Sequence, residues 1–234
     1  MSPSAASGDT RWMTTTDDAV DVREMIVVHT AMLREFRLLP DAVRAVPQGD
    51  VRRARPVVDH VRFMLDMLHH HHESEDTLLW PPLRARATLA EVALIDQGEG
   101  QHEELARVIE TTVAALDRWA TTANTEDRAA TAEGIGSVHR SLEAHLDFEE
   151  RRLLPLVSTL LTHEEWAALS VVGRTSVPPK QRTLALGMFL YEGDPTVIAS
   201  MMAGAPLLVR KVVSILGRRA YGAHARALYG TATP

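Results

Sequence analysis

Four long segments of the chain carry apolar residues at intervals of three and four, the spacing that aligns them along one face of an α-helix. The segments run from about Thr16 to Leu39, Pro56 to Trp80, Leu89 to Trp119 and Thr125 to Leu154. Pro40, Pro81 and Pro155 are expected to stop three of these helices. Because short connections make neighbouring helices antiparallel, the pattern predicts an all-α, up-down-up-down four-helix bundle over residues 15–160.

Two further regions flank the predicted bundle. Residues 1–14 are rich in Ser, Ala and Gly and are expected to form a disordered N-terminal arm. Residues 161–234 are expected to form a C-terminal helical extension, which opens with a capping box at Thr162 and Glu165. Further helices are predicted over about Lys180–Tyr191, Pro195–Ala203 and Pro206–Tyr229. The last is basic and amphipathic, so we expect it to pack on its own domain or on a second copy of the chain, with a membrane surface as the alternative.

Composition excludes several kinds of site. The absence of cysteine removes disulfides, thiolate zinc sites, iron–sulfur clusters and cysteine nucleophiles. A net charge of −6 favours neither nucleic acid nor an anionic membrane. No apolar run reaches the roughly 20 residues of a membrane-spanning helix, and the first 13 residues do not resemble a signal peptide, so a cytoplasmic location is expected. Eleven histidines are the unusual feature of the composition.

A repeated polar pattern interrupts the apolar face of two predicted helices. His71 and Glu75 on the second helix match His145 and Glu149 on the fourth, and both segments fit H-x-x-x-E-[DE]-x-x-L-[LW]-P. Residues four apart lie on the same face of a helix, so each pair projects inward together. Buried imidazoles and carboxylates are unfavourable without partners. The repeat therefore indicates a shared chemical role for the two pairs.

The remaining two helices each add one inward histidine, His29 and His102. Alone, each is more typical of a hydrogen-bonded core residue. With the two pairs they give four imidazoles and two carboxylates, a donor set that suits two metal ions, and carboxylate-bridged sites in helical bundles hold mainly iron or manganese. His72 is expected beside the ligands as a supporting residue, and His139 is expected either beside them or at the surface. Asp76 and Glu150, each one residue after a ligand carboxylate, are expected at the surface, with hydrogen bonding to surrounding groups as the alternative.

At these residues the sequence resembles the hemerythrin family, also called the HHE cation-binding domain. Its signature, H…HxxxE…H…HxxxE, is met over roughly residues 16–160. The resemblance implies a non-heme centre of two iron ions with an oxo or hydroxo bridge, in preference to manganese or zinc. It also implies dioxygen, peroxide or nitric oxide as partners. The implied metal ligands are His29, His71, Glu75, His102, His145 and Glu149.

The sequence departs from the oxygen-carrying members of the family at two places. They have a second histidine one turn after the third-helix histidine, where this chain has Ala106, and they have H-x-x-x-x-D where this chain has His145 and Glu149. With Ala106, both irons are expected to keep an exchangeable position. This favours a redox enzyme, an oxidase, oxygenase or peroxide-decomposing protein acting on a small organic substrate or on peroxide. The alternatives are a sensing or storage module for oxygen, nitric oxide or iron, and a metal-free structural bundle.

Overall fold

The computed structural model describes residues 19–234. The predicted N-terminal arm and the predicted helix start at Thr16 lie outside these residues. The described part of the chain is α-helical and contains no β-strand. The bundle region comprises α1 (Arg23–Arg44), α2 (Val51–Ser74), α3 (Trp80–Arg86), α4 (Leu89–Thr122), α5 (Thr125–Phe148) and α6 (Leu154–Leu160). The extension comprises α7 (His163–Ser176), α8 (Arg182–Glu192), α9 (Pro195–Met201) and α10 (Leu207–Tyr229).

The four long helices close a ring in which α1 packs on α2 and α5, and α4 packs on the same two helices. Side-chain caps fix where three of them begin. The carboxylate of Asp50 accepts the N–H of Arg53 at the start of α2, and Thr88 forms a capping box with Glu91 at the start of α4. Asn124 caps α5. The predicted four-helix bundle is confirmed.

The expectation that proline stops the helices was wrong. Pro40 lies inside α1, which continues to Arg44, and Pro56 lies inside α2. Pro81 and Pro155 follow π-helical turns, Glu75–Leu79 and Glu149–Leu153, and stand in the first turn of the helices that come next. Proline fits there because the first N–H groups of a helix have no partner within it. The wider turn before it gives room to a ring that clashes inside a regular α-helix.

The apolar core of the bundle forms two clusters with a polar layer between them. Each of the four segments that build the bundle contributes to both clusters. Examples are Phe36, Leu68, Leu105 and Leu142 in the larger cluster and Met25, Leu79, Ile95 and Leu153 in the smaller. In each segment the histidine of the family signature lies between the residue of the larger cluster and the residue of the smaller one. The candidate site therefore lies inside the bundle, with apolar packing above and below it.

The extension packs against one side of the bundle. Helix α7 lies on α2, and α8, α9 and α10 lie on α1. The predicted capping box at Thr162 is confirmed, with its N–H donating to Glu165 at 2.9 Å. Within residues 19–234, none of the helices combines the length and apolar character that crossing a membrane requires. The division of the chain after residue 160 stays a prediction, as does self-association through the extension.

A buried polar network around Glu35 of α1 fastens the extension to the bundle. The Glu35 carboxylate accepts hydrogen bonds from Arg34 Nε and His60 Nε2, both at 3.0 Å. It also accepts hydrogen bonds from the phenols of Tyr221 at 2.8 Å and Tyr229 at 2.7 Å, both on α10. Burial raises the pKa of Glu35. The hydrogen bonds and positive charge of its neighbours, His60 foremost, outweigh this effect and bring the pKa down to about 2. The network thus ties α1, α2 and α10 together through an ionised carboxylate.

Candidate metal centre

Two π-helical turns shape the site. At the end of α2 the backbone N–H of Trp80 donates to the carbonyl of Glu75, five residues earlier, and the N–H of Leu154 makes the equivalent bond to Glu149. Such wide turns occur often at functional sites because they redirect side chains out of the regular helical register. Here each turn begins at the glutamate of an H-x-x-x-E pair. The sequence repeat is therefore also a repeat of backbone geometry.

The first cluster of donors comprises His29, His71, Glu75 and Glu149, with one donor atom from each lying within 4.8 Å of the others. Nε2 of His29 lies 3.2 Å from Nε2 of His71. Nε2 of His71 lies 3.2 Å from Oε1 of Glu75, and Nε2 of His29 lies 3.5 Å from Oε2 of Glu149. These atoms converge from α1, α2 and α5 on one point in the polar layer.

The second cluster comprises His72, Glu75, His102 and His145. Nε2 of His102 lies 3.1 Å from Nε2 of His145 and 3.5 Å from Oε2 of Glu75. The ring of His72 stacks on that of His102, with centroids 4.0 Å apart. Glu75 thus presents one oxygen to each cluster. Glu149 behaves similarly, because its Oε2 lies 3.5 Å from His29 and 3.8 Å from His145.

Hydrogen bonds on the far side of the rings fix which nitrogen carries the proton. Nδ1 of His102 lies 2.8 Å from a carboxylate oxygen of Asp76, and Nδ1 of His145 lies 3.0 Å from the amide oxygen of Gln101. Carboxylate and amide oxygens accept hydrogen bonds, so both Nδ1 atoms donate. In each neutral ring Nε2 then carries a lone pair, and the two lone pairs face each other. Two lone pairs 3.1 Å apart repel unless a cation lies between or beside them. Nδ1 of His29 likewise donates to Glu150, at 2.9 Å.

Burial sets the charge of the donors. It raises the pKa of Glu75 well above the ordinary value, with Glu149 adding to the effect, and it also raises the pKa of Glu149. Burial, together with the charge of His102, lowers the pKa of His145 to about 3, and burial lowers the pKa of His71 well below the ordinary value. Neutral imidazole is the form that binds a metal.

Unpartnered polar atoms provide a test of fit. Both carboxylate oxygens of Glu75 and of Glu149, and Nε2 of His72, are buried without a hydrogen-bond partner among residues 19–234. Such groups are strongly unfavourable in an apolar interior. Cations supply the missing interactions, and imidazole with carboxylate is a donor set for iron, manganese and zinc. The residues present therefore fit a pair of metal ions that share the two glutamates.

The structure brings all six candidate ligands into the two clusters. His72, expected as a supporting residue, instead presents a donor atom of its own. His139 lies elsewhere, in a surface depression beside Arg37 and Arg44, and among the described residues it makes no hydrogen bond to either cluster. Six residues before His145, its side chain is turned about a third of a turn away from the site. Ala106 is exposed.

Three residues outside the six candidate ligands support the clusters, and sequence reasoning named only two of them, Asp76 and Glu150. Asp76 and Glu150 are partly exposed, as expected, yet each holds the Nδ1 proton of a histidine from another helix. Their position directly after the glutamates of the repeat was the available signal. Gln101 carries no such signal, since it precedes His102 by one residue and meets His145 only in the fold.

All four segments of the bundle contribute a His donor to its interior, and two of them add a Glu donor. This is the architecture of a cation-binding domain. The family model of the hemerythrin HHE cation binding domain matches residues 20–157, and the chain belongs to this family. No curated protein and no solved structure was found to match the chain. The resemblance identified from the sequence motif is confirmed. Family and clusters together define a metal-binding module, for which iron is the typical metal.

Proposed function

We propose that this chain holds two iron ions in the two clusters and is a redox enzyme that reacts with dioxygen, peroxide or nitric oxide. One observation carries the proposal. His102 and His145 oppose Nε2 lone pairs at 3.1 Å while each Nδ1 is already engaged by Asp76 or Gln101. A proton between the two nitrogens would also relieve this contact, but burial lowers the pKa of both imidazoles, to about 3 for His145, so at neutral pH both rings are neutral and a bound cation is what satisfies both nitrogens.

The ligands divide between the two ions. His29 and His71 would hold the first ion and His102 and His145 the second, and Glu75, which presents one oxygen to each cluster, would be shared by both. Glu149 would be the second shared carboxylate, in keeping with its similar distances to His29 and His145. His72 is a further candidate ligand of the second ion, because its unpartnered Nε2 belongs to that cluster. The second cluster then offers three imidazoles and the first offers two, so the first ion would be the one with an exchangeable position, whereas the sequence alone led us to expect one on each ion.

When bound, the iron pair supplies electron transfer to small oxygen or nitrogen species. The chain's own residues prepare the site for it. Asp76 and Glu150 fix the tautomer and orientation of His102 and His29, and such partners raise the basicity of a ligand. Leu79 and Leu153 from one side, and Leu68 from the other, exclude water from the polar layer.

An enzyme is favoured over a sensing or storage module by a cavity of about 510 Å³ that reaches His71 from outside the bundle. A module that only binds a diatomic gas does not need so large a space. The alternative remains a module that binds oxygen, nitric oxide or iron without turnover. The two functions differ in a measurable way, because an enzyme consumes its oxidant repeatedly.

Turnover of peroxide and of dioxygen tests the proposal. The iron-loaded chain is expected to decompose peroxide, or to consume dioxygen in the presence of a reductant, over many cycles per chain. Glu149→Ala removes a bridging carboxylate and is expected to abolish turnover. Asp147→Ala, a change of an exposed carboxylate paired with Arg151, is the matched control and should leave turnover intact. Reversible binding of one gas molecule without turnover would favour the sensing or storage module instead.

A further inference from the structure

The cavity that reaches His71 is built jointly by the bundle and the extension. Helices α1 and α2 form one side of it, and α7, α8 and the end of α9 form the other. Its volume of about 510 Å³ falls within the range of roughly 300–1,000 Å³ that is usual for small-molecule sites. His71 and Ser74 lie in the wall contributed by α2. His71 therefore belongs both to the cavity wall and to the first cluster of donors.

Four methionines and three aromatic residues stand out in a wall that also carries aliphatic and polar side chains. Examples are Met25, Met67, Met201, Met202, Phe63 and Trp166. Methionine adapts its shape to a ligand, and its sulfur makes favourable contacts with the edges of aromatic rings. Aromatic side chains in turn prefer to stack on, or meet edge-to-face, other rings. The lining therefore suits a molecule with an aromatic ring better than a flexible alkyl chain.

The charged groups of the cavity balance one another. Glu24 and Asp66 contribute two carboxylates, and Arg174 and Arg182 contribute two guanidinium groups. Asp66, Arg174 and Arg182 are exposed, and Glu24 accepts a hydrogen bond from Ser170 at 3.2 Å. The charges sum to zero and lie mainly at the mouth. Burying a ligand charge among the apolar side chains is unfavourable, so the interior favours a neutral molecule.

We propose that this cavity binds a neutral aromatic molecule, with one edge of its ring against the imidazole of His71. The role of that molecule as a substrate rests on the proposed function, whereas its binding does not. The position of His71 gives the site its connection to the metal centre. A molecule in the cavity contacts a ligand of the first ion, the ion assigned the exchangeable position.

Binding of 2-naphthol to the full-length, iron-loaded chain tests the proposal, with 2-naphthoate as the charged analogue and 1-decanol as the flexible one. Titration calorimetry is expected to give one 2-naphthol per chain and an affinity about tenfold or more above that of either analogue. Binding of 2-naphthoate or 1-decanol equal to or tighter than that of 2-naphthol would overturn the assigned ligand class.

Two variants locate the site from opposite walls. Gly173→Phe adds a ring where a side chain meets no atom within 4 Å, and Met67→Glu puts a charge into the apolar wall. Each is expected to weaken 2-naphthol binding about tenfold. Gly100→Phe, at a helical glycine that is equally open but does not line the cavity, should leave binding unchanged. Unchanged binding by both cavity variants would overturn the proposal.

A spectroscopic measurement separates this proposal from the proposed function. Saturating 2-naphthol is expected to shift the absorption of the iron centre through contact with His71, and Gly173→Phe should suppress the shift. A visible iron centre without 2-naphthol binding overturns the cavity proposal alone. Binding at the cavity by a chain that holds no iron overturns the proposed function alone.

Discussion

Oδ1 of Asp76 lies 2.8 Å from Nδ1 of His102, so a carboxylate that ends one helix orients a candidate metal ligand on another. The indole N–H of Trp80 donates to the same oxygen at 3.0 Å and holds the carboxylate in place. Asp76→Ala frees the imidazole to rotate and to change tautomer. We expect iron affinity to fall about 10- to 100-fold, the usual effect of losing such a partner.

Competition for iron with a chromophoric chelator measures this effect. Asp147→Ala is the control, since Asp147 is also an exposed carboxylate but lies in α5 and pairs with Arg151. Equal losses of affinity in the two variants would mean that Asp76 acts only through surface charge.

The assignment of His72 to the second ion gives a second prediction. Removing its imidazole with His72→Leu should weaken binding of the second iron ion, so that metal analysis after mild chelation finds closer to one iron than two per chain. His69→Leu removes an exposed histidine of the same run and should leave two. If the two variants retain iron equally, His72 is a packing residue beside His102 and not a ligand.

The Glu35 network predicts a pH dependence of stability. The pKa of Glu35 in the folded chain, about 2, lies below its ordinary value of 4.5. The ionised carboxylate therefore stabilises the fold fully above about pH 4.5, and this stabilisation is lost as the pH falls toward 2. At neutral pH the contribution is on the order of 3 kcal/mol.

Glu35→Gln isolates this contribution because it removes the titration while keeping a side chain of similar shape. Urea unfolding of iron-depleted protein should show wild type more stable than the variant at pH 7, with the difference shrinking as the pH approaches 2. A difference in unfolding free energy that stays constant over this range would contradict the assigned pKa.

A close helix crossing in the extension predicts a packing defect. A methyl group on Gly187 of α8 would overlap the backbone carbonyl of Gly217 on α10. Gly187→Ala should therefore push the helices apart and destabilise the chain by about 1–3 kcal/mol. Gly100→Ala meets no neighbour and should instead stabilise α4 by about 0.5–1 kcal/mol. Thermal unfolding of both variants checks the opposite signs, and a stabilised Gly187→Ala would refute the assigned crossing.

The bundle and the six candidate ligands were predictable because their signal is local. Spacing of four residues places His71 with Glu75 and His145 with Glu149, and the repeat distinguishes these pairs from chance. The π-helical turns were not predictable from spacing, since they arise where Pro81 and Pro155 prevent a regular helix after each glutamate. Those turns explain why prolines that were expected to end helices did not.

The contacts of the extension were not predictable because they join distant residues. Tyr221 and Tyr229 meet Glu35 across more than 180 positions of the chain, and no local pattern marks them as partners. The donor atom that His72 presents to the second cluster was not predictable for a different reason. His72 lies at the edge of the apolar face of α2, where helix geometry alone does not decide whether a side chain points into the bundle. Its stacking on the ring of His102 brings it inward.

Iron content tests the central claim most directly. The full-length chain, produced with iron and freed of loosely bound metal, is expected to hold two irons per chain by elemental analysis, with a near-ultraviolet absorption band of a bridged ferric pair. A folded His145→Ala/Glu149→Ala double variant should retain less than one iron and lose the band. A wild-type chain that folds but holds no stoichiometric metal, or a double variant that still holds two irons, would contradict it.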